Sequence, residues 1–304
     1  MRVGITGASG FLGQHLVRLL NGRGTTCIAF SRDANRAVAG CRETRSFRPG
    51  TPVDLWDLDA VVNLAGESII GLWTQAKRQR ISESRIRGTE RVVQALAAAP
   101  RDDAETGPRI LINASATGFY GERGDEELDE SSSAGSGFLA DVCRQWEGAA
   151  FAAERISGSS GVRVAAVRIG FVLGADGGAL PPVKKIFCLG LGGRLGSGRQ
   201  WMSVVHVADV AGLIAFLLEN EDARGVFNAV CPEPVRNADF THALAHALHR
   251  PAFLPAPGFA LRAALGDLSQ LVLDSQRVLP RRASEFGFTF RFANLEATLH
   301  DVLK

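Results

Sequence analysis

A single tyrosine, Tyr120, serves all 304 residues, and there are only two methionines and five cysteines. The cysteines (Cys27, Cys41, Cys143, Cys188 and Cys231) are odd in number and far apart, with none of the close spacings of a metal site. That argues against a disulfide framework and reads as free thiols in a reducing compartment, so the expected location is cytoplasmic. No apolar run approaches the roughly 20 residues needed to cross a bilayer, and no leader-like segment precedes the first strand pattern. Lys and Arg number 34 against 32 Asp and Glu, a net +2, which gives no field demanding nucleic acid or an acidic membrane. The densest basic cluster, Lys77, Arg78, Arg80, Arg85, Arg87 and Arg91, falls on one helix and reads as a solvated face. No lysine follows Gly13 to grip a phosphate, no metal cluster is visible, and no repeat or low-complexity tract occurs. Phosphoryl transfer and metal chemistry are therefore not expected.

Apolar residues make up 46 % of the chain and charged residues 22 %, an ordinary composition with enough length for a sizeable core. The most informative stretch is Gly7-Ala8-Ser9-Gly10-Phe11-Leu12-Gly13. It follows an apolar strand, Met1 to Thr6, and opens a helical pattern marked by Leu12, Leu16, Leu19 and Leu20. Strand, glycine loop and helix in that order are what a dinucleotide site requires. Glycines let the backbone turn tightly and approach a pyrophosphate, and the helix start offers unpaired N–H groups and a positive dipole end. Gly7, Ser9, Gly10, Phe11, Leu12 and Gly13 are the resulting cofactor contacts.

Strand and helix patterns then alternate. Thr25–Phe30, Asp59–Leu64, Arg109–Ala114, Val162–Ile169 and Val226–Val230 read as strands; Gln75–Ala99, Phe138–Arg155 and His206–Leu218 read as helices. Pro100 stops the longest helix, and Asp102–Gly107 reads as a polar surface loop. Near-continuous apolar strands alternating with helices predict an α/β fold, a Rossmann-type doubly wound parallel sheet covered on both faces. Ligands of such sheets lie beyond the carboxyl ends of the strands, where strand order reverses. After Ile169 the chain becomes rich in glycine and proline. The expected organisation is a nucleotide-binding domain over residues 1–231 and a small, mainly helical lobe over 232–304, helped by 174–200. Arg199, Gln200 and Trp201, in that glycine-rich excursion, are candidate substrate contacts.

The end of the second strand selects the cofactor. An acidic residue there pairs with the ribose hydroxyls of NAD, and a cation replaces it for NADP. Here the strand runs into Ser31-Arg32-Asp33. Ser31 and Arg32 suit a 2′-phosphate through a hydroxyl and a guanidinium fork. Asp33 would favour NAD if the strand ran one or two residues further. NADP is the favoured cofactor.

With these pieces the chain resembles the extended, epimerase-like branch of the short-chain dehydrogenase/reductase superfamily. The residues that carry the resemblance are Gly7 to Gly13, Asn63-Leu64-Ala65-Gly66, Ser115 to Gly121, and His206-Val207-Ala208-Asp209-Val210. An atypical subfamily, loosely termed cell-division-inhibitor-like, is more similar still, through Ser31-Arg32, Ser84-Arg85, Trp146-Glu147, Gly190 to Gly193, and Gln276 to Arg282 with Gly287-Phe288. The resemblance implies bound NADP, with Leu64, Ala65 and Gly66 along it, Arg85 reaching in from its helix, and Phe171 and Val172 near the nicotinamide. Glu67 would stand at the cofactor edge.

One departure stands out. Dehydrogenases and epimerases of the superfamily use a tyrosine that passes a proton and, four residues on, a lysine that lowers its pKa and holds the nicotinamide ribose. Four residues after Tyr120 stands Gly124, and the slots on the helix after the serine strand fall near Leu139 and Cys143. Neither side chain does that chemistry. Ser115 matches the serine of the catalytic set, with capping of the strand end as its structural alternative; Tyr120 either faces the nicotinamide or packs. These are the two catalytic candidates. Two readings follow: an NADP-dependent oxidoreductase of an unknown small-molecule substrate, without the usual pair, or a non-catalytic NADP(H)-binding redox sensor or regulatory protein. No nucleic acid or membrane partner is expected, and the chain is read as a monomer or homodimer.

Overall fold

A computed structural model describes residues 1–98, 107–156 and 161–304. The stop at Pro100 and most of the loop from Asp102 lie outside the described residues. A seven-stranded parallel sheet forms from β1 (Arg2–Thr6), β2 (Thr26–Ser31), β3 (Glu43–Ser46), β4 (Ala60–Asn63), β5 (Ile110–Ala116), β6 (Arg163–Ile169) and β7 (Gly225–Ala229), in the order β7-β6-β5-β4-β1-β2-β3. The order reverses between β1 and β4, whose carboxyl ends meet at the pair Thr6 and Asn63. The expected strands thus form within a residue or two of their expected bounds. Edge strand β3 was not legible, because Glu43-Thr44-Arg45-Ser46 is polar and half exposed.

Alternate residues of each strand face opposite sides, and the core divides accordingly. Val3, Ile5, Cys27, Ala29, Val62, Ile112, Ala165 and Val167 pack with helices α1 (Phe11–Gly22) and α5 (Val207–Glu219). Ile28, Phe30, Val61, Leu111 and Val164 pack with α2 (Gln75–Ala98) and α3 (Phe138–Phe151), through Val92, Leu96 and Ala150. Residues buried on both faces explain why the strands read as unbroken apolar runs.

The later chain builds a further cluster. Leu180 and Phe187 of a short helix, α4 (Leu180–Cys188), meet Val204, Phe240, Leu244 and Leu299 there. Not all of the carboxyl-terminal residues belong to it: Ala283 and Phe290 join the α1 and α5 side of the main core, with Phe286 and Phe288 packed against it. His206 caps α5, its Nδ1 accepting from the Ala208 N–H at 3.0 Å. Asp209, one turn on, accepts from the N–H groups of Arg291 (2.8 Å) and Phe292 (3.0 Å). These bonds fasten the last segment to the helix that returns to the sheet.

Candidate cofactor cradle and substrate cleft

Gly7 follows β1 with φ +71°, and the Gly10 N–H donates to its carbonyl at 2.9 Å. A Cβ on Gly13 would lie 2.2 Å from that same oxygen, and one on Gly7 would lie 2.9 Å from the Leu64 carbonyl. Glycine at both positions is a steric necessity. Gly10 precedes α1 with extended backbone and no side-chain cap, so the first N–H groups of the helix face the crevice unpaired by a cap. A bare backbone surface beside a helix start fits a dinucleotide pyrophosphate. Ser9 and Gly10 are exposed, and Phe11 and Leu12 half-buried. Phe11 is held from the far side of the chain: a Cβ on Gly174 or Gly177 would come within 2.4 Å of its ring, and one on Gly178 within 2.8 Å. That loop follows Val172, whose carbonyl accepts from the Ala179 N–H at 2.9 Å, and Asp176 latches it to α1 through His15 at 3.0 Å.

Beneath the cradle lies a buried polar chain. Thr6 Oγ1 donates to Asn63 Oδ1 at 2.6 Å and accepts the Leu64 and Ala65 N–H groups at 3.1 Å each. Asn63 Nδ2 donates to Asn113 Oδ1 (2.6 Å) and Thr89 Oγ1 (2.8 Å), which also receives the Trp146 indole N–H at 2.9 Å. Full satisfaction of buried polar atoms makes such a network rigid, and here it fixes the Leu64 to Gly66 turn against β1.

Strand β2, which neighbours β1, ends at Ser31, so Arg32 is the first residue beyond it; Ser31 is half-buried and Arg32 exposed. Asp33 folds back: its N–H donates to Ser31 Oγ at 3.1 Å, and its Oδ1 accepts from the Asn35 N–H at 3.2 Å. Arg48, from the loop after β3, donates to the Arg32 carbonyl. Across the crevice Glu67 pairs with Lys77 at 2.9 Å and Arg80 at 3.7 Å. The Lys77 hydrogen bond, with the nearby Arg80 and Arg32 charges, holds its carboxyl below the usual range. Arg85 Nη1 donates to the Glu67 carbonyl at 2.9 Å.

Ser115 and Tyr120 belong to one buried cluster. Ser115 Oγ donates to Glu147 Oε1 at 2.6 Å, and Arg168 grips the same carboxylate through Nε (2.8 Å) and Nη2 (2.9 Å). Arg168 Nη1 donates to the Tyr120 hydroxyl at 2.9 Å; that hydroxyl lies 2.8 Å from Asn228 Oδ1 and 2.9 Å from the Asp129 carbonyl. Tyr120 has no exposed surface and Ser115 retains 3 %. Burial pushes the phenol up to about 12, against the pull of Arg168.

A cavity of about 630 Å3 opens where the carboxyl-terminal segment meets the sheet's loops. Arg199, Gln200, Arg236 and Arg262 line it with Glu122 and Asp125. Trp201 stands beside it, donating its indole N–H to Asp125 at 2.8 Å while Arg236 stacks 4.2 Å from its ring centre. Three guanidiniums facing two carboxylates make a polar cleft that suits a small anionic or hydroxyl-rich molecule. Among the described residues, no group of three or more His, Cys, Asp or Glu side chains is placed to hold a metal ion.

The family model for the NAD dependent epimerase/dehydratase family matches residues 3–229, three quarters of the chain. The chain belongs to that family. A second model, for a domain of unknown function called DUF1731, matches residues 256–302. The chain is similar to an Arabidopsis thaliana epimerase family protein, a chloroplastic SDR39U1 homolog, with 38 % identity over all of this chain and 87 % of the relative. It is similar also to the Bacillus subtilis epimerase family protein YfhF, with 36 % identity over all of this chain and 98 % of that one. Among solved structures it resembles the human epimerase family protein SDR39U1, crystallised with NADPH, at 33 % identity and a TM-score of 0.87, covering 100 % and 99 % of the two chains.

Leu139 and Cys143, the positions where the tyrosine and lysine slots were expected, are packed against the rest of the structure. Leu139 presses on Gly118, its Cβ 3.2 Å from where a Cβ would stand there. Cys143 is buried beside Ser115 and Glu147, and burial pushes its thiol up to about 12. Sequence reasoning missed Thr89, Asn113 and Arg168. For Arg168 a signal existed, since a charged residue inside the apolar run Val164 to Ile169 needs a buried partner.

Proposed function

We propose that this protein is an NADP(H)-dependent, epimerase-like oxidoreductase acting on a small molecule, without the tyrosine and lysine pair. The observation that carries the cofactor preference is the end of β2: the strand stops at Ser31, Arg32 follows, and the Asp33 carboxylate is turned to the Asn35 N–H. A guanidinium and a hydroxyl therefore stand where a 2′-phosphate would be met, with Arg48 against the Arg32 backbone as a second cation. Gly7, Ser9, Gly10, Phe11, Leu12 and Gly13 would hold the pyrophosphate, Leu64, Ala65, Gly66 and Glu67 the opposite wall, and Val172 the nicotinamide end. The bound cofactor supplies hydride transfer; the protein supplies binding, orientation and a polar cleft.

In this reading Ser115 and Tyr120 shape the site rather than exchange protons with substrate. Ser115 orients Glu147 beneath the cradle, and Tyr120 ties the β5 edge to Asn228 and Asp129. The same burial favours the second reading, a non-catalytic NADP(H) sensor in the cytoplasm. Fluorescence titration separates the cofactors: NADPH is expected to bind at least about tenfold tighter than NADH, and Arg32→Ala to remove the difference. Equal affinities in the wild type overturn the NADP preference. Turnover of NADPH with a panel of aldehydes, quinones and nucleotide sugars supports the enzyme; tight binding with no turnover across the panel supports the sensor.

A further inference from the structure

Acidic residues are missing from two long stretches of the chain. Between Asp176 and Asp209, and again between Asp239 and Asp267, no Asp or Glu occurs, while Lys184, Lys185, Arg194, Arg199, Arg250 and Arg262 fall inside these stretches. The net charge of +2 hides the asymmetry, because acids gather elsewhere, as in Asp125-Glu126-Glu127. Among the described residues, Lys184, Lys185, Arg194 and Arg250 have no carboxylate partner. The fold sets the two stretches side by side. Helix α4 packs with α6 (Asn237–Leu248) through Leu180, Phe187, Phe240 and Leu244. Beyond the helices the Leu254 N–H donates to the Gly192 carbonyl at 3.3 Å, the Ala256 N–H to the Arg194 carbonyl at 2.9 Å, and the Gly196 N–H to the Ala256 carbonyl at 2.8 Å. On this joined surface lie six of the ten large apolar side chains that are exposed among the described residues: Ile186, Leu189, Leu191, Phe253, Leu254 and Phe259. Phe253 is 72 % exposed and Phe259 76 %. An apolar surface of this kind marks a place where something docks.

Charge selects the occupant. A second copy would set like charges against one another. Protein interfaces deplete lysine around their apolar centre, yet here Lys184 and Lys185 adjoin Ile186. Phe, Leu and Ile side chains flanked by Lys and Arg, with no acid among them, match the headgroup layer of an anionic bilayer. We propose that this face docks on an anionic lipid surface. Ile186, Leu189, Leu191, Phe253 and Leu254 enter the boundary between headgroups and acyl chains, and Lys184, Lys185, Arg194 and Arg250 meet lipid phosphates. No helix among the described residues is long and apolar enough to cross a membrane; the contact is interfacial. Phe259 also lines the polar cleft, so docking sets the mouth of that cleft beside the lipid.

The test is flotation of the full chain with phosphatidylcholine vesicles, made with or without phosphatidylglycerol. Binding to the anionic vesicles is expected to be at least about tenfold tighter than to phosphatidylcholine alone, and to weaken as salt is raised. Lys184→Gln with Lys185→Gln is expected to weaken it about tenfold, and Leu189→Ser with Phe253→Ser by about tenfold or more. All four side chains are exposed, so the variants keep the thermal denaturation and NADPH titration of the wild type. Trp56→Ser, which removes an exposed apolar side chain outside both stretches, leaves vesicle binding unchanged. Binding that ignores lipid charge, that survives Leu189→Ser with Phe253→Ser, or that is absent from both vesicles overturns the proposal. A dimer in light scattering that Phe253→Ser dissociates also overturns it, by assigning the face to a second copy.

Discussion

The Arg168 guanidinium holds the Glu147 carboxylate through two nitrogens, Nε at 2.8 Å and Nη2 at 2.9 Å, with 4 % and 7 % of the two side chains exposed. A buried pair of this kind adds little over a well-packed apolar pair, yet removing one member leaves an uncompensated charge. Glu147→Ala or Arg168→Ala alone is therefore expected to cost about 3–5 kcal/mol in urea denaturation. The double replacement Glu147→Leu with Arg168→Met costs much less than the two single changes summed. Additive losses would show that the pair is not a coupled unit.

Tyr120 sits at the far end of the same guanidinium. Tyr120→Phe leaves Arg168 Nη1 without its acceptor, and whichever of Asn228 Oδ1 and the Asp129 carbonyl takes the single hydroxyl proton without its donor. The expected cost is about 1–3 kcal/mol of stability with NADPH affinity unchanged. A variant of normal stability with lost turnover would instead make the phenol a participant in the reaction.

Two glycines of α1 give opposite outcomes for one substitution. A Cβ on Gly13 meets the Gly7 carbonyl at 2.2 Å and Ala8 Cα at 2.8 Å, whereas one on Gly22 meets nothing within 4 Å. Gly13→Ala is expected to lower stability by about 1–3 kcal/mol and to abolish NADPH binding, since backbone must move at the cradle. Gly22→Ala is expected to raise stability by about 0.5–1 kcal/mol through helix propensity and a less free unfolded chain. Thermal denaturation and a cofactor titration check both.

What the sequence made legible was local. The apolar runs of β1, β2 and β4 to β7 and the glycine turn after Thr6 are contiguous, so the parallel sheet and its switch point could be read directly. Strand β3 could not, because an edge strand with one neighbour buries little, and Glu43 to Ser46, all polar, pair only with β2 in the sheet. Arg168 and Glu147 are 21 residues apart and Phe11 and Gly174 more than 160, on different elements, so no spacing announces either contact. The glycines at 174, 177 and 178 advertised only a turn-rich excursion; their role as a socket for the Phe11 ring needs three-dimensional closure. Phe286, Phe288 and Phe290 read as part of a separate lobe, yet they pack on the α1 and α5 side of the main core, a placement set by the Asp209 bonds to Arg291 and Phe292.

Two carboxylates make stability depend on pH with opposite signs. Asp57, hydrogen-bonded first to Arg45 and then to Arg2, is lowered to about 2. Its contribution is present above the unfolded value near 4 and is lost as pH falls towards 2. Asp274 is raised to about 6, by burial first and the Glu122 charge second, against Arg262. A raised acid binds more protons folded than unfolded, so stability falls as pH climbs from about 4 to 6 and stays reduced above. Asp274→Asn is therefore expected to be more stable than the wild type by about 1–3 kcal/mol at pH 7.5 and equal to it at pH 3.5. Asp274 lies next to a cleft lined by Glu122, Arg262 and Ser275. Urea denaturation of both proteins at the two pH values checks the sign, and a difference of the same size at both would remove titration of Asp274 as its cause.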